Sequence, residues 1–390
     1  MTNCALVCEY NPFHSGHKYQ LDCIKSSVDN ILCVMSGNFV QSASPAFCDK
    51  ALRAECALIG GADAVIELPA VFATASAQWF AEGSARIIKD IADIKYWAMG
   101  AVSDRDAILR LAEVKLSHKD KYSALLKERL DDGKSYSFAA VDAVKTICAR
   151  LYPDTDISDA LNDPNDILCI EYIAAIDKFA ANVQLLIIER RGALHGDMSL
   201  KNEHVSATAI RKAVDDGNTE AIGRFLPYNY EKMLEYRRCH APDVEAYKKA
   251  AVFAVKSATA ERLAALRDCS EGMEYLIKKD DLSDYDKIVS GKSTRRYGEK
   301  RIKRLLLDAM LGIERGDGEK FCTRLLSCKN GFDFSILPNT VKTNNRDIKA
   351  SAESDGDIAR TLAVDERAAA LYNALCGVDG GYYNYSLVKI

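Results

Sequence analysis

The amino-acid sequence predicts an α/β fold: a first domain over residues 1–214 built on a parallel sheet, and a mainly helical second domain over residues 215–390. Two observations carry the prediction. Short apolar runs alternate with amphipathic helical periods through the first half, the pattern of strands joined by crossover helices. After about Val214 strand-sized runs thin out and long 3.6-residue patterns take over.

The elements follow in order. Ala5–Cys8 is a buried-strand pattern, followed by a polar turn and an amphipathic helix over Gly16–Ser26. Ile31–Met35 is the next strand, turned at Ser36-Gly37-Asn38, and a helix covers Asp49–Gly60. Ala64–Leu68 is a third strand, closed by Pro69; Phe72–Asp90 reads as one helix. Tyr96–Met99 is a strand ending at Gly100, and Val183–Ile188 is another. Ligands of such sheets bind at the carboxyl ends of the strands, so the turns after Cys8, Met35, Met99 and Ile188 are expected on one rim. In the second half, Glu245–Arg267 and Arg301–Glu314 read as helices, and Gly377–Tyr385 as an irregular Gly/Tyr-rich tail packed back on the body.

The bulk numbers set limits. A chain of 390 residues, 48% hydrophobic and 28% charged, is a soluble globular protein with room for two or three domains. Its net charge of −4 comes from 52 basic and 56 acidic side chains, so only a local basic cluster could point to nucleic acid. No run approaches the ~20 apolar residues of a membrane helix. Met1-Thr2-Asn3-Cys4 enters an apolar strand without a basic leader, so a cytoplasmic protein is expected. The 13 cysteines are odd in number, scattered from Cys4 to Cys376 and contain no Cys-x-x-Cys pair; they read as free thiols serving as small core residues.

The chemistry-bearing stretch is Glu9-Tyr10-Asn11-Pro12-Phe13-His14-Ser15-Gly16-His17, at the junction of the first strand and first helix. Attack on an α-phosphate needs donors aimed at the charge that develops in the transition state, and backbone that comes close to the nucleotide. Two histidines around a small residue and a glycine, at the positive end of a helix, supply both. His14 and His17 are the catalytic candidates. A lone His-x-Gly-His elsewhere would be two surface histidines in a loop; the strand-to-helix context is what separates the two readings. Ser206-Ala207-Thr208-Ala209-Ile210-Arg211 is a second signal. By itself it is a helix cap with a surface arginine; beside the first motif, Ser206, Thr208 and Arg211 become phosphate candidates.

Together the two elements resemble the HxGH nucleotidylyltransferase superfamily, and their surroundings resemble the bacterial tRNA(Met) cytidine acetate ligase family. The resemblance covers Val7–Gln20, Met35-Ser36-Gly37-Asn38-Phe39-Val40-Gln41, Asp49-Lys50 with Arg53, Gly61-Ala62-Asp63 and Glu67-Leu68-Pro69. It continues at Gly100, Pro164-Asn165-Asp166-Ile167-Leu168 with Glu171-Tyr172, Arg190-Arg191-Gly192, Ser206–Arg211, Arg301–Ile313 and Phe321–Lys342.

That resemblance implies a Rossmann-like HxGH nucleotidyltransferase domain and a two-step ATP-dependent ligation. Acetate and ATP would give acetyl-adenylate, and the acetyl group would pass to the exocyclic amine of the wobble cytidine of elongator tRNA(Met), giving N4-acetylcytidine. Acetyl-CoA would not take part, Mg²⁺ would accompany the ATP phosphates, and neither a membrane nor DNA would be a partner. Carried over by position, the nucleotide contacts fall on Val7, Cys8, Glu9, Tyr10, Asn11, Pro12, Phe13, His14, Ser15, Gly16, His17, Lys18, Tyr19 and Gln20. Gly100, Asn165, Arg190 and Arg191 complete them. Without the family these last four read as a strand-end turn, a loop cap and two surface cations.

One departure stands out: where the family continues Arg-Gly-Glu-Pro after Gln41, this chain has Ser42-Ala43-Ser44-Pro45. It lacks an arginine and a glycine in a loop expected on the ligand rim. A tRNA-binding paralogue with reduced catalysis therefore stays open, as does a small-molecule adenylyltransferase. Against the latter stands the run Lys292–Arg304, with seven cations, one acid and Tyr297. Its composition suits a phosphate backbone with a stacked base, and makes Lys292, Arg295, Arg296, Lys300 and Arg301 the tRNA candidates. The plain alternative is a solvated helix start. His195 and His204 flank the expected rim, whereas His118 and His240 read as local or surface residues.

Overall fold

The computed structural model describes residues 1–157, 160–179, 181–190, 204–226, 230–270, 272–279, 284–294 and 297–390. Its first half runs β1 (Asn3–Cys8), α1 (Ser15–Lys25), β2 (Asn30–Ser36), α2 (Lys50–Gly60), β3 (Ala64–Leu68), α3 (Ala77–Ile88) and β4 (Ile94–Ala101). Three helices, Arg105–Ser117, Lys119–Asp131 and Tyr136–Leu151, precede α4 (Pro164–Lys178), β5 (Gln184–Glu189) and α5 (Ala207–Asp215). Helices then dominate to α6 (Glu299–Leu311), after which come β6 (Thr323–Cys328), β7 (Val341–Lys342), α7 (Asn345–Ser354), α8 (Gly356–Cys376) and β8 (Val388–Lys389). No helix among the described residues is long and apolar enough to cross a membrane.

The strands form one sheet in the order β8-β6-β3-β2-β1-β4-β5, with β7 paired to β6 beside that path. β3, β2, β1, β4 and β5 are mutually parallel, as the alternating pattern predicts. The register sets Cys8 beside Met35, Met35 beside Glu67, and Gly100 beside Ile188, so the expected rim exists. Period-two alternation sends side chains to two dry faces. Ala5, Leu32, Val34, Ile66, Trp97 and Met99 enter one core; Leu6, Ile31, Cys33, Met35, Val65 and Ala98 enter the other with Leu21 and Ile24 of α1. All thirteen cysteines are free, and Cys239 is the exposed one.

The second half is less purely helical than its sequence suggests. β6 runs antiparallel to β3 and extends the sheet, with all six residues buried. Thr323, Arg324 and Ser327 make it look half-polar, but Thr323 Oγ1 donates to the Glu67 carbonyl at 2.6 Å and Arg324 meets the Glu67 carboxylate at 3.7 Å. The tail packs back as expected, with β8 parallel to β6. Two expected single helices are broken. Phe72–Asp90 becomes Ala70–Ala73 and α3, with the Thr74 hydroxyl bonded to the Ala70 carbonyl at the break. Glu245–Arg267 becomes Val244–Ser257 and Ala260–Ala265, the latter capped by Thr259. In both cases a hydroxyl competes for the backbone and ends a helix that apolar periodicity alone would continue. The halves are joined by Tyr247 and Tyr372, whose hydroxyls donate to the Ala43 and Ala46 carbonyls at 2.7 and 3.2 Å.

Candidate active site

His14 is the N-cap of α1 and only 5% exposed. Its Nδ1 accepts the Gly16 N–H at 3.1 Å, while His17 Nδ1 accepts the His14 N–H at 3.3 Å. This is a capping box made of two imidazoles. The rings stack with centroids 3.7 Å apart. Because each Nδ1 is an acceptor, each ring carries its proton on Nε2, which leaves two N–H donors at the positive end of a helix. Burial, with the Arg190, His204 and Arg211 charges, lowers His14 to about 3. Burial, then His14 and Arg190, also push His17 well below the usual histidine range. Both are neutral donors at pH 7.

Gly16 makes the stack possible. A Cβ there would stand 3.0 Å from His14 Cε1 and 3.2 Å from its Nδ1. The cleft in front of the pair opens to solvent and is walled by Tyr19, Gln20, Gly100, Arg190 and His204. Gly100 keeps the far wall open, since a Cβ would meet Arg190 Cγ at 3.3 Å and Gln20 Nε2 at 3.4 Å. His204 Nδ1 is 3.0 Å from Ser15 Oγ. Sequence reasoning placed His204 beside the rim without assigning it a contact; Ile188, the expected strand end, lines the cleft too, with Glu189 and Val205, which carried no sequence signal.

The expected nucleotide stretch divides in two. His14, Gly16, His17, Tyr19 and Gln20 line the cleft. The rest form its frame: Tyr10 and Phe13 are buried edge to face at 4.9 Å, and Phe13 fills the space above Gly60. Val7 and Cys8 end β1 and pack against the cores, Pro12 is buried, and Lys18 pairs with Asp22. Asn11 Oδ1 accepts the Phe47 N–H at 2.6 Å, and Glu9 accepts the Gln41 N–H at 2.7 Å. Burial holds the Glu9 carboxyl above its usual range. Arg53, 1% exposed, ties this frame together by donating to the carbonyls of Glu9, Ser36, Gly37 and Cys48.

Asn165 lies on the rim at the start of α4, bonded to Asp163 rather than lining the cleft. The neighbouring Asp166 secures that helix to the β4 turn through the Val102 N–H at 2.8 Å and Ser103 Oγ at 2.6 Å. The three phosphate candidates make structural contacts. Ser206 Oγ caps α5 at the Ala209 N–H, and Arg211 donates to Thr208 Oγ1 at 3.1 Å and to the Asn11 carbonyl at 2.6 Å. Arg191 and His195 lie outside the described residues.

The basic run is not a free cationic face. Lys292 is 2% exposed. Arg301 donates to the Asp268 carbonyl at 3.2 Å and Ser270 Oγ at 2.5 Å, and Arg304 pairs with Asp268 at 2.5 Å. Lys300 is exposed, while Arg295 and Arg296 lie outside the described residues. None of the residues of the Ser42–Ser44 loop lines the cleft. Ala43 holds φ +55°, the left-handed conformation that glycine adopts without strain.

A parallel sheet with a histidine pair on the first crossover helix, facing a cleft at the strand ends, defines a HIGH nucleotidyl transferase. The family model of that description matches residues 1–379. The tRNA(Met) cytidine acetate ligase of Acetivibrio thermocellus is 33% identical over 324 residues, 80% of this chain and 77% of its own. That of Caldanaerobacter subterraneus subsp. tengcongensis is 34% identical over 321 residues, 80% of this chain and 78% of its own. The crystal structure of Thermotoga maritima TmcAL in its apo form superposes with a TM-score of 0.89 at 25% identity, covering both chains completely. The same protein bound with alpha-thio ATP matches at 0.87 and 24% identity, again over both whole chains. The chain belongs to the tRNA(Met) cytidine acetate ligase family of HIGH nucleotidyl transferases, and it is a ligase.

Proposed function

We propose that this protein uses ATP to activate acetate and then acetylates the exocyclic amine of the wobble cytidine of elongator tRNA(Met). In the first step an acetate oxygen attacks the α-phosphorus, the bond to the bridging oxygen breaks, and pyrophosphate leaves. In the second the cytidine amine attacks the acetyl carbon of the adenylate, loses a proton, and AMP departs. The observation that carries this reading is the tautomer of the histidine pair: two neutral rings, His14 buried and His17 half-buried, with Nδ1 engaged and Nε2–H without a partner among the described residues. Such donors stabilise charge developing on phosphate oxygens without first having to be deprotonated or reoriented.

The nucleotide lies against Tyr19, Gln20, Gly100 and Arg190, and Arg191 is a further candidate outside the described residues. Mg²⁺ would come with the ATP phosphates and offset their charge, and Glu189 is the carboxylate on the cleft wall that would hold it from the protein side. Asn11, Arg53 and Arg211 act as positioning residues that hold the His14 turn. Residues 215–390 bind tRNA, with Lys300, Arg295 and Arg296 remaining as candidates from the basic run. Acetyl-CoA has no part, and the reaction takes place in the cytoplasm. The names of the relatives support the substrates.

The test is exchange of labelled pyrophosphate into ATP, with and without acetate, followed by transfer of labelled acetate to tRNA. Exchange that depends on acetate, and label that reaches tRNA only with ATP, is expected. Exchange indifferent to acetate, or label reaching tRNA from acetyl-CoA without ATP, would overturn the proposal.

A further inference from the structure

A second cleft opens on the same rim at the opposite edge of the sheet, where β6, β7 and β8 meet. Its cavity volume is about 210 Å³, and it opens to solvent. Arg324, Lys342, Asn345 and Tyr385 are among its walls. We propose that it holds one nucleotide of a single-stranded RNA loop, a few nucleotides along the strand from the one that reacts in the histidine cleft.

Four observations point there. The first is a fixed aromatic ring: the Tyr385 hydroxyl donates to the Leu326 carbonyl at 3.0 Å, so the ring stays in the wall. Aromatic side chains held in this way are stacking platforms for unpaired bases. The second is buried positive charge. Arg324 is 3% exposed, held by Asn345 Oδ1 at 3.2 Å and the Tyr382 carbonyl at 2.9 Å, and its Nε has no hydrogen bond. Glu67 serves both Arg324 and Lys50, and burial pushes the neighbouring Asp365 carboxyl up to about 7, so the ionised carboxylates do not fully offset the two cations beneath the cleft.

The third is the exposed charge. Lys342, half-buried on the wall, makes no hydrogen bond or ion pair among the described residues, and Arg346 and Lys349 stand exposed three residues apart on α7. Asp347 is an acid among them, with its carboxylate engaged by Asn344. This edge is therefore cationic on a protein of net charge −4. The fourth is position. β6 is three strand spacings from β1, about 14 Å at ~4.8 Å each, a span that a few nucleotides of an opened loop can cover.

The inference rests on the proposed tRNA substrate, and one titration separates the two. A fluorescently labelled anticodon stem-loop of elongator tRNA(Met) is titrated with the full-length protein, with Lys342→Glu, Tyr385→Leu and Tyr385→Phe, and with Lys121→Glu on a distant helix as a charge control. Lys342→Glu should weaken binding about tenfold and reduce the slope of log K against log salt by about 0.7, the value for one single-strand phosphate contact. Tyr385→Leu should weaken it about tenfold, and Tyr385→Phe, which keeps the ring, should not. If the wild type binds and the Lys342 and Tyr385→Leu variants match Lys121→Glu, the edge cleft is not an RNA site and the ligase reading stands. If the wild type binds no stem-loop at all, both proposals fall. Displacement of the RNA from the edge cleft by free cytidine monophosphate, lost in Tyr385→Leu, would assign the cleft to a free nucleotide and overturn the inference.

Discussion

The two clefts on the rim are assembled in opposite ways. In the histidine cleft the reactive pair sits within four residues, oriented by main-chain bonds of the same turn. In the edge cleft every fixed group is held from far along the chain: Arg324 by Asn345 and Tyr382, and Tyr385 by Leu326. A locally built site keeps its geometry as long as one helix start is intact, and it fails through single atoms. A site built from distant segments exists only once the tail has packed, and its contributions add as many weak contacts. The comparison predicts where small changes have large effects.

The largest effect belongs to the local pair. His14→Ala and His17→Ala should each slow acetate-dependent pyrophosphate exchange about a hundredfold, the usual cost of about 3 kcal/mol for one lost transition-state donor. Far-ultraviolet circular dichroism should show the fold unchanged. Either variant exchanging at the wild-type rate would remove the pair from the chemistry.

The next effect is on stability against pH. The His14 and His17 rings are held neutral when folded, yet in the unfolded chain they take up protons below about pH 6.5. The unfolded state then binds more protons, so these groups withdraw stability as pH falls from about 6.5 towards the folded value of about 3 for His14. Each contributes a slope of up to about 1.4 kcal/mol per pH unit. His14→Gln, which keeps an acceptor and cannot titrate, should flatten the fall in urea stability between pH 6.5 and 5. A slope identical to wild type would mean that His14 is not held neutral.

Gly16→Ala should separate activity from stability. The added methyl presses on the His14 ring at 3.0 Å, enough to displace the stack by a few tenths of an ångström. About a tenfold loss in kcat is expected. Alanine is the better helix former by about 1 kcal/mol, so the melting temperature should hold or rise. Loss of both together would show a folding defect instead of a misplaced donor.

What the sequence made legible follows the same division between local and distant. Ala64–Leu68 is a strand to the residue, and the turns after Cys8, Met35, Met99 and Ile188 do share a rim. Period and strand-to-helix order are short-range properties, so they can be read without the fold. The basic run is the counterexample. Its composition is visible, but Asp268 and Ser270, which engage Arg301 and Arg304, are more than thirty residues away. The tie from Arg211 to the Asn11 carbonyl, 200 residues distant, is likewise invisible in the sequence. β6 was missed because its polar residues find buried partners that only the sheet supplies.

The smallest expected effect tests the loop that departs from the family. Ala43 stands at φ +55° in the turn between Phe39–Val40 and Ser44–Pro45, and its N–H donates to the Val40 carbonyl at 2.9 Å. The left-handed conformation costs a residue with a Cβ about 1–2 kcal/mol. Ala43→Gly relieves that cost but removes a buried methyl worth about 0.8 kcal/mol and loosens the unfolded chain. The terms nearly cancel, leaving a stabilisation below about 1 kcal/mol and a rise in melting temperature of about 1–2 °C. Pyrophosphate exchange should not change, because Ser42, Ala43 and Ser44 stand outside the cleft. A drop in melting temperature would mean that the buried methyl outweighs the strained φ. A change in exchange rate would tie this loop to adenylate formation, through the Tyr247 hydroxyl that holds its carbonyl or through the Gln41 N–H bond to Glu9.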